Sequence, residues 1–118
     1  MNILITIGKK TIDAQIDGYR SLVKAFEKST GDGGFFWWRC SNLPRTPAQE
    51  IEYVYIVLGG RIRWRARVLD YHGPGWIAFD DGRDIFSKGW MQLFDFERLA
   101  RSEQTKRKGF QGYCYLDS

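Results

Sequence analysis

Between Arg61 and Val68 the chain alternates arginine with apolar residues: Arg61-Ile62-Arg63-Trp64-Arg65-Ala66-Arg67-Val68. A period of two is the pattern of a strand with one face in the core and one in water, because successive side chains leave a strand on opposite sides. A helix would spread the same four guanidinium groups around its circumference. Tyr53-Val54-Tyr55-Ile56-Val57-Leu58 precedes it, and Gly59-Gly60 between the two runs supplies the positive φ that a tight hairpin needs. A two-residue loop sets Leu58 against Arg61 and Ile56 against Arg63, mixing aliphatics with arginines on one face. A three-residue loop pairs Leu58 with Ile62, Ile56 with Trp64 and Val54 with Ala66, and sets Tyr53, Tyr55 and Val57 against Arg67, Arg65 and Arg63. A one-residue slip exposes one strand's apolar set. The expected register is therefore the second, with Val54, Ile56, Leu58, Ile62, Trp64 and Ala66 on the buried face.

The rest of the chain supplies partners for this hairpin. Ile3, Ile5 and Ile7 alternate as a first strand, and Ile12, Ile16, Tyr19, Leu22, Val23 and Phe26 recur at helical steps behind a Thr11 cap. Gly31-Asp32-Gly33-Gly34 ends that helix, and Phe35 to Cys40 reads as a strand. Pro44 and Pro47 confine Ser41 to Gln49 to a loop with one helical turn. Trp76 to Phe79 and Asp84 to Phe86 form a second hairpin about Asp81-Gly82, whose turn chemistry also accounts for the cluster of aspartates there without a metal. Trp90 to Phe96 and Gly112 to Leu116 are the last strands, separated by a basic, mobile loop from Arg101 to Gly109. With 118 residues, 43% of them apolar, the chain suits one domain over 1–118 with an unstapled core. The expected class is α+β: a small, partly closed, mostly antiparallel β-barrel with one main N-terminal helix packed against it, and no parallel βαβ pattern.

The chemistry-bearing residues point to binding more than to catalysis. Cys40 and Cys114 have no metal-ligand spacing and read as buried thiols of a reducing, cytoplasmic compartment. His72, the single histidine, lies in the turn-forming Tyr71-His72-Gly73-Pro74-Gly75 without a nucleophile or carboxylate at triad spacing. No metal or cofactor is expected, nor an efficient enzyme. No apolar run approaches the roughly 18 residues that span a bilayer, and the chain opens without the basic and apolar regions of a signal peptide, so no membrane partner is expected. The formal charge of +4 permits acidic partners. Arg63, Arg65 and Arg67 on one face repel one another at roughly 7 Å spacing, within the Debye length, unless carboxylates or bound anions relieve them. With Tyr53 and Tyr55 opposite they have the composition that stacks bases and neutralises phosphates, and Lys106, Arg107 and Lys108 add further cations. Strand alternation sends Trp37 and Trp38 to opposite sides, so either of them can line a pocket with Arg39 or Asn42.

Phe36-Trp37-Trp38-Arg39-Cys40-Ser41-Asn42, a proline-containing crossover, Val54-Tyr55-Ile56-Val57 and then Gly60 to Val68 together resemble the PUA-like superfamily, in particular its EVE and ASCH branches. The resemblance covers Phe35 to Asp70, with weaker likeness from Trp90 to Leu99. It implies a small barrel with flanking helices that binds RNA or modified bases in a pocket. Gly8-Lys9-Lys10-Thr11-Ile12-Asp13-Ala14-Gln15 is similar to the ASCH motif Gly-x-Lys-x-x-Glu-x-Arg, with Asp13 in place of Glu and Gln15 in place of Arg. That similarity implies a pocket role for Lys10, which some members use to hydrolyse modified nucleosides. Three expectations follow: a nucleic-acid-binding module, RNA favoured; a protein-interaction or inhibitor domain for an acidic partner; and a small hydrolase in which Lys10 meets Asp13 or Glu50.

Overall fold

A computed structural model describes residues 1–8, 19–28, 35–40, 42–78, 82–107 and 113–116. Strands β1 (Asn2–Thr6), β2 (Phe36–Arg39), β3 (Tyr53–Leu58), β4 (Arg61–His72), β7 (Trp90–Arg98) and β8 (Tyr113–Leu116) form one sheet in the order β2-β7-β4-β3-β1-β8. Strands β5 (Gly75–Ala78) and β6 (Asp84–Ser87) form a separate two-stranded ribbon. Helix α1 (Tyr19–Lys28) and 3-10 turns at Ala48–Glu50 and Arg101–Glu103 complete the described elements.

The fold is thus mostly β with one described helix, as the α+β expectation requires, but the partly closed barrel is not seen. Among the described residues β2 and β8 pair on one side only, so the sheet is open. The ladder between β1 and β3 is parallel, with Ile5 opposite Ile56, within a sheet that is otherwise antiparallel, as the mostly antiparallel expectation allows. A parallel pair needs a long crossover. Here that crossover contains α1 together with β2, a strand that inserts at the opposite edge, and this hides the βαβ signature.

One face of the sheet carries the core. Ile3 and Ile5 from β1, Val54, Ile56 and Leu58 from β3, Trp64, Ala66 and Val68 from β4, and Met91, Leu93 and Phe96 from β7 are buried together. Leu22 and Phe26 of α1 close over them. Phe26 stacks on Phe96 at 4.4 Å between centroids and meets Phe36 and Trp64 at 5.3 Å each, so one helical phenylalanine ties three strands together. Leu43, Ala48 and Ile51, from the crossover before β3, cover the remainder.

The β3–β4 hairpin combines both of the registers considered. Leu58 lies opposite Arg61 and Val57 opposite Ile62, which is the two-residue Gly59-Gly60 turn. Between Ile56 and Val57 the register shifts, and Ile56 then meets Trp64, Tyr55 meets Arg65 and Val54 meets Ala66. Arg63 is the extra residue of this β-bulge, and the bulge restores the hydrophobic match that the tight turn alone would lose. Five of the six residues expected on the buried face are there. Ile62 is the correction: paired with Val57, it lies outside the core cluster and is half-buried on the opposite face.

Candidate anion-binding site

The arginine row divides where the bulge interrupts it. Beyond the bulge, Arg65 and Arg67 occupy the second face of the sheet and have partners. Arg65 Nη2 lies 2.8 Å from Glu97 Oε2, and its Nε donates to the same oxygen at 2.8 Å. This pairing, first among the causes, pushes the guanidinium pKa further above its already high ordinary value. Arg67 Nε lies 3.7 Å from Asp95 Oδ2. Between Arg65–Glu97 and Arg67–Phe94, two β7 residues, Asp95 and Phe96, face one of β4, Ala66, and Asp95 takes φ 55° there, a left-handed conformation that aspartate tolerates. The Tyr53 ring lies under both cations, with its centroid 4.3 Å from Arg65 Cζ and 5.4 Å from Arg67 Cζ. Tyr55 sits 6.0 Å from Tyr53, centroid to centroid, and lies directly opposite Arg65. This part of the ladder is relieved from within the fold, by carboxylates and ring faces.

At the hairpin end the situation is reversed. Arg63, displaced by the bulge, donates from Nε to the Leu58 carbonyl at 2.9 Å, and its own carbonyl accepts from Leu99 N at 2.9 Å. It lines an open cleft of about 640 Å³ with Arg61, Arg98, Leu99, Ala100, Arg101 and Gln104. Four arginines therefore line one depression. Among the described residues the ion pairs are Arg65–Glu97 and Arg67–Asp95, so none of these four is matched by a carboxylate. Glu103 lies on the adjacent 3-10 turn but does not line the cleft.

The chain after β7 brings more charge to the same end. Ile62 N donates to Thr105 O at 2.8 Å, Arg107 N donates to Gly60 O at 2.8 Å, and Arg61 and Lys106 form an isolated antiparallel bridge. The expectation of a mobile basic loop is thereby corrected for residues 101–107: a 3-10 turn followed by a strap is hydrogen-bonded to the hairpin, and it sets Lys106 and Arg107 beside Arg61. Lys108 lies outside the described residues.

Of the residues expected to line an aromatic pocket, the two tryptophans lie on opposite faces, as strand alternation predicts. Trp38 packs against the core, whereas Trp37 faces the other way, 5.1 Å from the His72 ring. His72 Nε2 is in turn hydrogen-bonded to Gln92 Oε1 at 2.9 Å. Arg39 is exposed and donates from Nη2 to the Phe86 carbonyl at 3.0 Å, while the Asn42 carbonyl accepts from the Cys40 thiol. Burial pushes the Cys40 pKa up, which keeps that thiol protonated and unreactive. Lys10 and Asp13 lie outside the described residues, and Glu50 is exposed on its 3-10 turn. No group of three or more His, Cys, Asp or Glu suited to a metal occurs among the described residues, and no described helix is long and apolar enough to cross a membrane.

Sequence reasoning did not single out Arg61, Arg98 or Arg101 as binding residues. Arg98 and Arg101 join the hairpin only through the β4–β7 register, which puts Arg98 opposite Trp64. No local motif announces this. Comparison with protein-family models, curated proteins and solved structures finds no match to this chain.

Proposed function

We propose that the protein is a nucleic-acid-binding module whose phosphate-binding site is the arginine cleft at the β3–β4 hairpin end. The observation that carries this reading is the gathering of Arg61, Arg63, Arg98 and Arg101 around one open depression with no matching carboxylate among the described residues, while the neighbouring Arg65 and Arg67 are paired. Like charges this close favour a bound polyanion, which relieves their repulsion and releases its own counterions. Lys106 and Arg107, held to the same hairpin, extend the positive surface. The likeness of the sequence to PUA-like domains supports the same class and places RNA ahead of DNA. A phosphate chain has the repeated charge that four cations require. A hydrolase reading gains no geometry from the described residues.

The test is salt-dependent binding of the whole chain to RNA and DNA oligomers. If about four phosphates are neutralised on a single strand, log affinity falls against log salt with a slope of about −3. The Arg61→Ala/Arg98→Ala pair should weaken binding and flatten that slope by about 1.4. Absence of binding to either nucleic acid at low salt would overturn the reading and favour an acidic protein partner.

A further inference from the structure

The ribbon β5–β6 carries the most exposed large aromatic among the described residues. Trp76 is 70% exposed and Phe86, directly opposite it across the ribbon, 41%. Their centroids are 5.5 Å apart at a tilt of 56°, so the two rings form one outward-facing platform. The platform is held firmly. Trp90 Nε1 donates to Gly75 O at 3.1 Å, Arg39 Nη2 donates to Phe86 O, and Ser87 Oγ donates to Gly89 O at 2.6 Å. An isolated two-stranded hairpin is marginal in water, and the first two of these bonds tie this one to β7 and β2.

The same anchors say on which face it lies. Trp90 is buried yet outside the core cluster, and it pairs in register with Arg39 and His72. The ribbon therefore covers the second face, the one that carries Tyr53, Arg65 and Arg67, at the far end of β4 from the arginine cleft.

We infer that the protein binds an extended single strand, with phosphates in the arginine cleft and an unstacked base on the Trp76–Phe86 platform; this rests on the nucleic-acid reading above. Three observations converge on it. Two aromatic side chains offer at most about 500 Å², well short of the roughly 800 Å² per partner of a stable protein interface, but ample for one base. Arg39 is held at the ribbon by its bond to the Phe86 carbonyl, and its charge suits a neighbouring phosphate. A duplex keeps its base faces inside the stack and so leaves such a platform idle. The 12 residues of β4 span roughly 36 Å, at most about ten nucleotides at the stacked rise of about 3.4 Å and fewer for an extended strand, so a strand engaging both ends has a minimum length.

The experiment measures binding of fluorescein-labelled oligouridylates of about 4 and about 14 nucleotides, and of a 14-base-pair duplex, to the whole chain and to Trp76→Ala, Phe86→Ala and Trp76→Phe. The expected result is a preference for the long single strand over both the duplex and the short oligomer. Trp76→Ala should weaken the long oligomer roughly five- to a hundredfold and leave the short one unchanged, with Trp76→Phe recovering most of the loss. Thermal melts of the variants separate lost stacking from lost folding, and Phe86→Ala supplies an independent disruption of the platform. If both alanine variants bind the long oligomer as the parent does while Arg61→Ala/Arg98→Ala does not, the platform is overturned and the cleft stands. If the parent binds no oligomer, both readings fall.

Discussion

Arg65 and Arg67 are the same residue type, on the same strand, as Arg61 and Arg63, and the difference between them is what faces each one. Arg65 and Glu97 have side-chain exposures of 26% and 58%, so their ion pair is well solvated and contributes less than about 1 kcal/mol. Glu97→Gln should therefore change the urea midpoint little. It should also release a guanidinium toward ligand, steepening the salt dependence of RNA binding by about 0.7. A parallel case is Tyr71, whose pKa burial pushes up to about 12 and whose hydroxyl donates to Thr46 O at 2.9 Å. Folding favours its neutral form, so its stabilising share is intact below the ordinary value near 10 and is lost as pH rises through about 12. Alkaline unfolding followed by circular dichroism should show this decline, and Tyr71→Phe, which cannot ionise, should show less of it over the same window. At this scale the sequence discloses which residues share a strand face. Which arginine meets a carboxylate depends on Asp95 and Glu97, and their position is set only when β7 docks.

The β3–β4 hairpin shows the same division at the level of an element. Its two glycines take φ 58° and 78°, the pair of positive values that a type I′ turn demands. Gly60→Ala should cost about 1 kcal/mol in chemical unfolding, whereas Gly59→Asn, a residue that enters the left-handed region readily, should be nearly neutral. Hydrophobic alternation correctly indicates that Val54, Ile56, Trp64 and Ala66 share the core. It does not reveal the bulge, because Ile62 and Trp64 stand two apart and read as one face. Only a residue whose backbone leaves the ladder breaks that parity, and Arg63 has no mark in the sequence to distinguish it from Arg65. The ribbon β5–β6 was legible as a hairpin for its turn chemistry, yet its docking over Trp90 rests on hydrogen bonds between residues remote in sequence.

Over the whole molecule, the two features that pattern analysis missed have a common origin. The open sheet and the parallel β1–β3 ladder are both matters of strand order, and periodicity within a strand carries no information about its neighbours. The same strand order gathers the hairpin tip, the end of β7 and the strap after it into one cationic end. It also governs how the chain folds. Ile5 of β1 lies between Ile56 and Tyr113, so β1 is completed by two strands that follow it far along the chain. Such non-local pairings close late and slowly, because loop entropy is lost before the contacts reward it. During synthesis the Asn2–Thr6 segment therefore waits without its second neighbour until β8 has left the ribosome.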